Sequence, residues 1–223
     1  TGSSILMNTG SAIARSSNGM VSTICWASDD RVDYALEGII VSCGATIQWL
    51  RDQIGLFADA AETEAMARTV DGNGGVYLVP AFAGLGAPHW KMDARASIVG
   101  LTFGSTRNHI ARAALESVVF QIKDVIEAMS RDSGVPLDTL NVDGGMTSNA
   151  LVLQSLADLL GNTVRRIAFQ DVSALGAAYM AGLGAGVYDG IADLPSQGDR
   201  ADIRPGSCGD SIKSAYAQWG ESL

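Results

Sequence analysis

The sequence predicts an α/β domain built on a mixed sheet with flanking helices. Three observations predict it. Hydrophobic residues make up 47% of the 223, enough for a sizeable core. Two β-type runs open the chain before any helical pattern begins. In the second half, short strands alternate with helical periodicity, which is the order of an α/β layer.

The elements follow in order. Ser3 to Met7 and Val21 to Trp26 read as strands, and the turn-rich stretch Asn8 to Asn18 between them predicts that they lie side by side and antiparallel. Tyr34 to Glu37 reads as a third short strand. Ile39, Ile40, Cys43, Ile47 and Leu50 fall at helical spacing, which predicts a helix over 39–54. Ala58 to Val70 reads as an amphipathic helix with Glu62, Glu64 and Arg68 outward. Val76 to Val79 reads as a buried strand closed by Pro80. Ala81 to Ser105 has no period and holds Gly84, Gly86 and Pro88, a long irregular stretch of a kind that usually has a task.

The clearest helix is Asn108 to Ser130. Its apolar positions Ile110, Ala114, Val118, Ile122, Val125 and Met129 recur at three and four, and Asn108 reads as its N-cap. Leu140 to Val142 is a short strand running into Asp143-Gly144-Gly145. A helix from Asn149 to Leu160 ends at Gly161. Thr163 to Ile167 is a strand, Ser173 to Leu183 a helix of small residues, and Ser211 to Trp219 a last helix.

Charge narrows the function classes. Fifteen basic against 24 acidic residues give a net charge of -9, which argues against a nucleic-acid partner. Phosphate ligands remain open, because backbone amides at helix starts bind anions whatever the net charge. Cys25, Cys43 and Cys208 form no disulfide framework, and two histidines build no His-rich metal site. No apolar run is long enough for a membrane helix, and no signal segment opens the chain, so a cytoplasmic protein is expected. The start at Thr1, inside a turn that leads into a strand, reads as a fragment of a longer chain.

Three glycine turns could serve a nucleotide. Thr1-Gly2-Ser3-Ser4 offers hydroxyls and amides to a terminal phosphate. Gly44 and Gln48 share a helix face, where Gly admits a flat ligand and Gln can hydrogen-bond to it. Asp143-Gly144-Gly145 ends a strand and Asn149 starts a helix, so bare backbone and a helix N-terminus meet. An ordinary hairpin, a packing glycine beside a solvated glutamine, or a plain strand-to-helix connection would each give the same letters. Asp143 could ligate a metal or only cap its turn. Glu116 and Asp124 read as structural or solvated, and His89 as a lone packed or exposed residue. No Ser-His-Asp set and no close carboxylate pair is evident.

Together these stretches resemble the C-terminal half of the FGGY carbohydrate kinases, and within them the glycerol kinases. The resemblance runs from Thr1 to about Asp193. It is carried by TGSSILMNTG at 1–10, YALEG at 34–38, GATIQWLRD at 44–52, PAFAGLGAPHW at 80–90, ASIVGLTFGSTRNHIARAALE at 96–116, VDGGMTSN at 142–149 and SALGAAYMAGL at 173–183. It implies an actin-like ATPase (ribonuclease H-like) domain on the nucleotide side of a cleft. ATP with Mg²⁺ would be the cofactor. Thr1 would contact the terminal phosphates, Gly44 and Gln48 would flank the nucleotide, and Gly145 and Asn149 would meet its adenosine end, with Gly144 in the same turn. The catalytic base and the polyol or sugar site would lie in an N-terminal domain outside this chain, so the chain alone is expected to be inactive, and copies could associate through the exposed cleft face. Glycerol kinases often carry an aromatic residue where this chain has Ser4, which opens the alternative of a pentulose or tetritol. A non-catalytic nucleotide-binding module of the actin-like superfamily is the reading from another class.

Overall fold

A computed structural model gives the fold; it describes residues 2–28, 31–134, 136–169, 171–195, 200–207 and 209–223. Strands β1 (Ser3–Gly10), β2 (Val21–Ala27) and β3 (Val32–Ile40) form one antiparallel sheet in the order β1-β3-β2. The expected β1–β2 neighbours are therefore separated by β3. That strand has nine residues, not the four expected, and pairs along both edges. It is the most buried strand of the three, so it takes the centre. The connection 11–20 is too long for a tight hairpin and instead folds onto the Asp132 carboxylate. Ser16 Oγ and Asn18 Nδ2 donate to that carboxylate at 2.5 and 2.7 Å, and Ser17 N at 2.9 Å. Partial burial works against the Asp132 charge, but these hydrogen bonds win and hold its pKa at about 2.

The helix expected over 39–54 is shorter: α1 is Gly44–Asp52. Ile39 and Ile40 fit helical spacing, yet they finish β3 opposite Ser4 and Ser3. A short apolar run satisfies both periods, and the open edge of β1 decides between them. Helix α2 is Glu62–Arg68, trimmed at both ends from the expected 58–70. Strand β4 (Tyr77–Val79) pairs antiparallel with β5 (Ser97–Val99), so the 81–105 stretch is not wholly irregular. Its remainder is tied down by side chains and backbone alike, the Ala87 N–H donating to the Ile39 carbonyl at 2.9 Å. His89 Nε2 meets Asp124 Oδ2 at 2.8 Å, and Trp90 Nε1 donates to the Gly19 carbonyl at 2.6 Å.

Helix α3 (Arg107–Ser133) is the axis of the molecule. Its N-cap is Thr106, not Asn108: Thr106 and His109 form a reciprocal capping pair, with the Thr106 N–H donating to His109 Nδ1 at 3.1 Å. Asn108 Nδ2 donates instead to Thr69 Oγ1 at 2.7 Å and tethers the end of α2. One face of α3, with Val118, Val125 and Met129, packs under the first sheet against Leu36 and Ile40. At Gly38 the contact is so close that a Cβ would lie 2.2 Å from Val125 Cγ1. The opposite face, with Ala113, Leu115, Val119 and Phe120, belongs to a larger core shared with α1, β4 and the C-terminal elements. A helix buried on both sides shows only half of its contacts in a single-face apolar count.

Strand β6 (Thr139–Val142) pairs parallel with β7 (Thr163–Ile167), and β7 pairs antiparallel with β8 (Arg200–Ile203). The mixed pairing expected of the chain is confined to this sheet; among the described residues the strands form three sheets, not one. A 3-10 turn (Gly145–Ser148) leads from β6 to α4 (Ala150–Leu160), which ends on Gly161. Helices α5 (Val172–Gly184) and α6 (Gly209–Gly220) complete the chain. Strand β8 escaped the sequence reading because RADI is only four residues long with a single large apolar side chain, too short for its alternation to stand out. Among the described residues no helix is long and apolar enough to cross a membrane.

Candidate functional site

A cleft of about 510 Å³ runs between the start of β1 and the turn after β6. Gly2, Ser3 and Ser4 form one lip, and Asp143, Gly144 and Thr147 the other. The floor is apolar, with Val118 and Ile122 from α3 and Leu153 and Leu156 from α4. The sequence thus brings two of its three glycine turns to one cleft. Thr1 lies outside the described residues. Ser4 is exposed, and its Oγ donates to Glu37 Oε1 on the neighbouring strand at 2.6 Å.

Gly144 is what makes the second lip. Its backbone sits at φ +91° and ψ 175°, a region open almost only to glycine, and nothing lies within 4 Å of where a Cβ would stand. Thr147 braces the turn, its Oγ1 donating to the Gly144 carbonyl at 2.7 Å. Among the described residues no acceptor takes the Gly144, Gly145 or Met146 N–H groups. Three successive free amides beside an open cleft are suited to anionic oxygens. Gly144 and Gly145 also border a smaller hollow of about 270 Å³ with Arg166 and Phe169, which adds a cation and a half-exposed ring.

The other expected contacts are less direct. Asn149 is the N-cap of α4: its Oδ1 accepts from Val152 N at 3.1 Å, and its Nδ2 donates to Thr63 Oγ1 at 3.4 Å. It lines neither hollow. Glu64, read as a solvated charge, accepts from the Ala150 N–H at 2.8 Å and so completes that helix start. Gly44 opens α1 and Gln48 is exposed one turn on; neither borders the cleft, although the preceding Cys43 does. Burial raises the Cys43 thiol pKa, which keeps it protonated and unreactive. Ser173 at the start of α5 reaches the cleft as well. Ser173 and Arg166 escaped the reading from composition and spacing, since a lone Ser and a strand Arg carry no pattern.

The C-terminal domain model of the FGGY family of carbohydrate kinases matches residues 1–185. The chain belongs to this family. Over its full length it is 48% identical to the glycerol kinase of Mycolicibacterium vanbaalenii and 46% identical to that of Desulfitobacterium hafniense, covering 45% of each. The structure of Plasmodium falciparum glycerol kinase with ADP matches at a TM-score of 0.87 and 34% identity, over 99% of this chain and 44% of that one. A xylulose kinase from Lactobacillus acidophilus shares the fold at a TM-score of 0.82 and 21% identity, over 100% of this chain and 45% of its own. The fold is thus the actin-like α/β domain of FGGY kinases. The chain spans less than half the length of these relatives.

Proposed function

We propose that this chain is the nucleotide-binding domain of a cytoplasmic kinase that transfers the ATP γ-phosphoryl group to glycerol, giving glycerol 3-phosphate. The observation that carries the reading is the Gly144 turn: an FGGY domain that keeps three free amides across a cleft from the Gly2–Ser4 turn. The geometry fits ATP, because bare backbone on one lip and small hydroxyl residues on the other leave room for a polyphosphate. ATP would supply the phosphoryl group, and Mg²⁺ bound with it would offset the phosphate charge.

The residue roles extend from this. Gly144 and Gly145 would hold phosphate oxygens through their N–H groups, and Thr1 would approach the terminal phosphates from β1. Gly44 and Gln48 would flank the nucleotide. Asn149 would fix the adenosine end through the α4 start that it caps. Positioning of this kind supplies most of the rate in phosphoryl transfer. The exposed sheet face around Leu6, Val21 and Ile39 would meet the polyol-binding domain, which would also bring the base. The chain alone is therefore expected to release no ADP steadily with any polyol, and steady turnover by the purified chain would refute that assignment.

Ser4 favours a second reading, a tetritol or pentulose as acceptor. Its hydroxyl, held by Glu37, leaves a small polar surface where a ring would exclude a larger substrate. The deciding experiment is ADP release by the full-length protein, offered glycerol, erythritol, xylulose and ribulose separately. Glycerol far ahead supports the first reading; a larger substrate ahead supports the second. In the same assay, Gly144→Val should raise the KM for ATP about tenfold or more, since the side chain strains φ and enters the cleft. An unchanged KM would remove Gly144 from the nucleotide site.

A further inference from the structure

A second cavity, of about 520 Å³, shares no lining residue with the cleft. It lies where the 71–75 turn, α3, α4 and α6 meet. Asn73, Glu116, Ser155 and Asp158 line it, and each is less than a tenth exposed. Buried polar groups are normally paired, and most of these are. Glu116 takes Arg112 Nε at 2.5 Å and Asn73 Nδ2 at 3.1 Å. Asp158 Oδ1 takes Gly206 N at 2.6 Å and Gln154 Nε2 at 2.8 Å. Ser155 differs: it is 8% exposed, and its hydroxyl has no partner among the described residues. Ser155 lines the cavity, so a molecule held there can meet its hydroxyl.

The lining also specifies what that something is. Three carboxylates, Asp71, Glu116 and Asp158, stand against the single guanidinium of Arg112, so an anion is repelled. The Arg112 guanidinium repels a cation, and the Glu116 and Asp158 carboxylates are already engaged by Arg112, Asn73, Gln154 and the Gly206 N–H. A hydroxyl group both donates and accepts, and so matches a wall that mixes the two. The volume lies within the range of small-molecule sites, but the wall is far more polar than is usual for them. We propose that this cavity binds an uncharged polyhydroxylated molecule, a pentitol or a monosaccharide, separately from the nucleotide cleft.

The test is methyl NMR on the full-length protein with labelled Ile and Ala, following Ile212 and Ala215 in the cavity wall. Xylitol and glucose are titrated, with inorganic phosphate and ethanolammonium as charged controls. The expected result is a saturable shift of both methyls with xylitol or glucose, half-complete at ~1–10 mM. Ser155→Leu, which fills the cavity, should abolish the shift. Gln218→Ala, on the exposed rim, should weaken binding about threefold to tenfold and carries the test if the leucine variant does not fold. No saturable shift, a shift that survives these substitutions, or equal binding of phosphate or ethanolammonium would overturn the proposal.

Discussion

Replacing Arg112 by leucine is expected to destabilise the domain by about 3–5 kcal/mol, because it leaves the Glu116 carboxylate buried without its cation. Glu116 is 3% exposed and lies inside the helix that both cores share. Burial raises its pKa, and the Arg112 charge and hydrogen bond pull it back only in part, with Asn73 assisting. A carboxyl whose folded pKa is raised favours the fold most when protonated, so its contribution falls as pH rises above the unfolded value near 4.5. Without Arg112 the folded pKa climbs further, and that fall steepens. The deficit of Arg112→Leu should therefore be larger at pH 8 than at pH 5. Glu116→Gln removes the charge but keeps the shape, and should stay within about 1 kcal/mol of the parent. Urea unfolding at both pH values checks this; an Arg112→Leu deficit that is small or independent of pH would refute it.

Glu116 also marks where reading from sequence runs out. The α3 period identifies the helix and one buried face, but Glu116 falls off that face, and the period leaves it open between a structural and a solvated role. Only the second layer, brought in by α4, α6 and the 71–75 turn, buries it. The same limit explains β1 and β2. Their β character is local and legible, but their order is set by β3, whose length depends on which edge claims Ile39 and Ile40. At the cleft, the strand-Gly-Gly-turn pattern is legible because it needs glycine at one backbone position, Gly144. The pairing of that turn with Gly2–Ser4 across some 140 residues of chain is not legible from spacing. It came from the resemblance of whole stretches to a family, and the structure supplies its geometry. Asn149 carries a second role beside the expected ligand contact, its Oδ1 capping α4.

Trp219→Ala is expected to cost about 3–5 kcal/mol as well, by a different route. Trp219 is 1% exposed near the end of α6, beyond the residues that match the family model. Its indole Nε1 donates to the Leu78 carbonyl of β4 at 2.9 Å, and its ring lies 5.5 Å from Phe120 and 6.5 Å from Tyr216. It thus joins the last helix to a strand and to the α3 axis at once. Tyr216 adds a polar tie by donating to Asp124, the carboxylate that also holds His89. Alanine would open a cavity among aromatic rings and strand the Leu78 carbonyl, two penalties that add. For a domain of this size, that loss lowers Tm by about 6–20 °C. Trp219→Phe keeps most of the volume but loses the N–H, and should fall by about half as much. A melting temperature within about 2 °C of the parent for Trp219→Ala would show that α6 is an appendage and not part of the core.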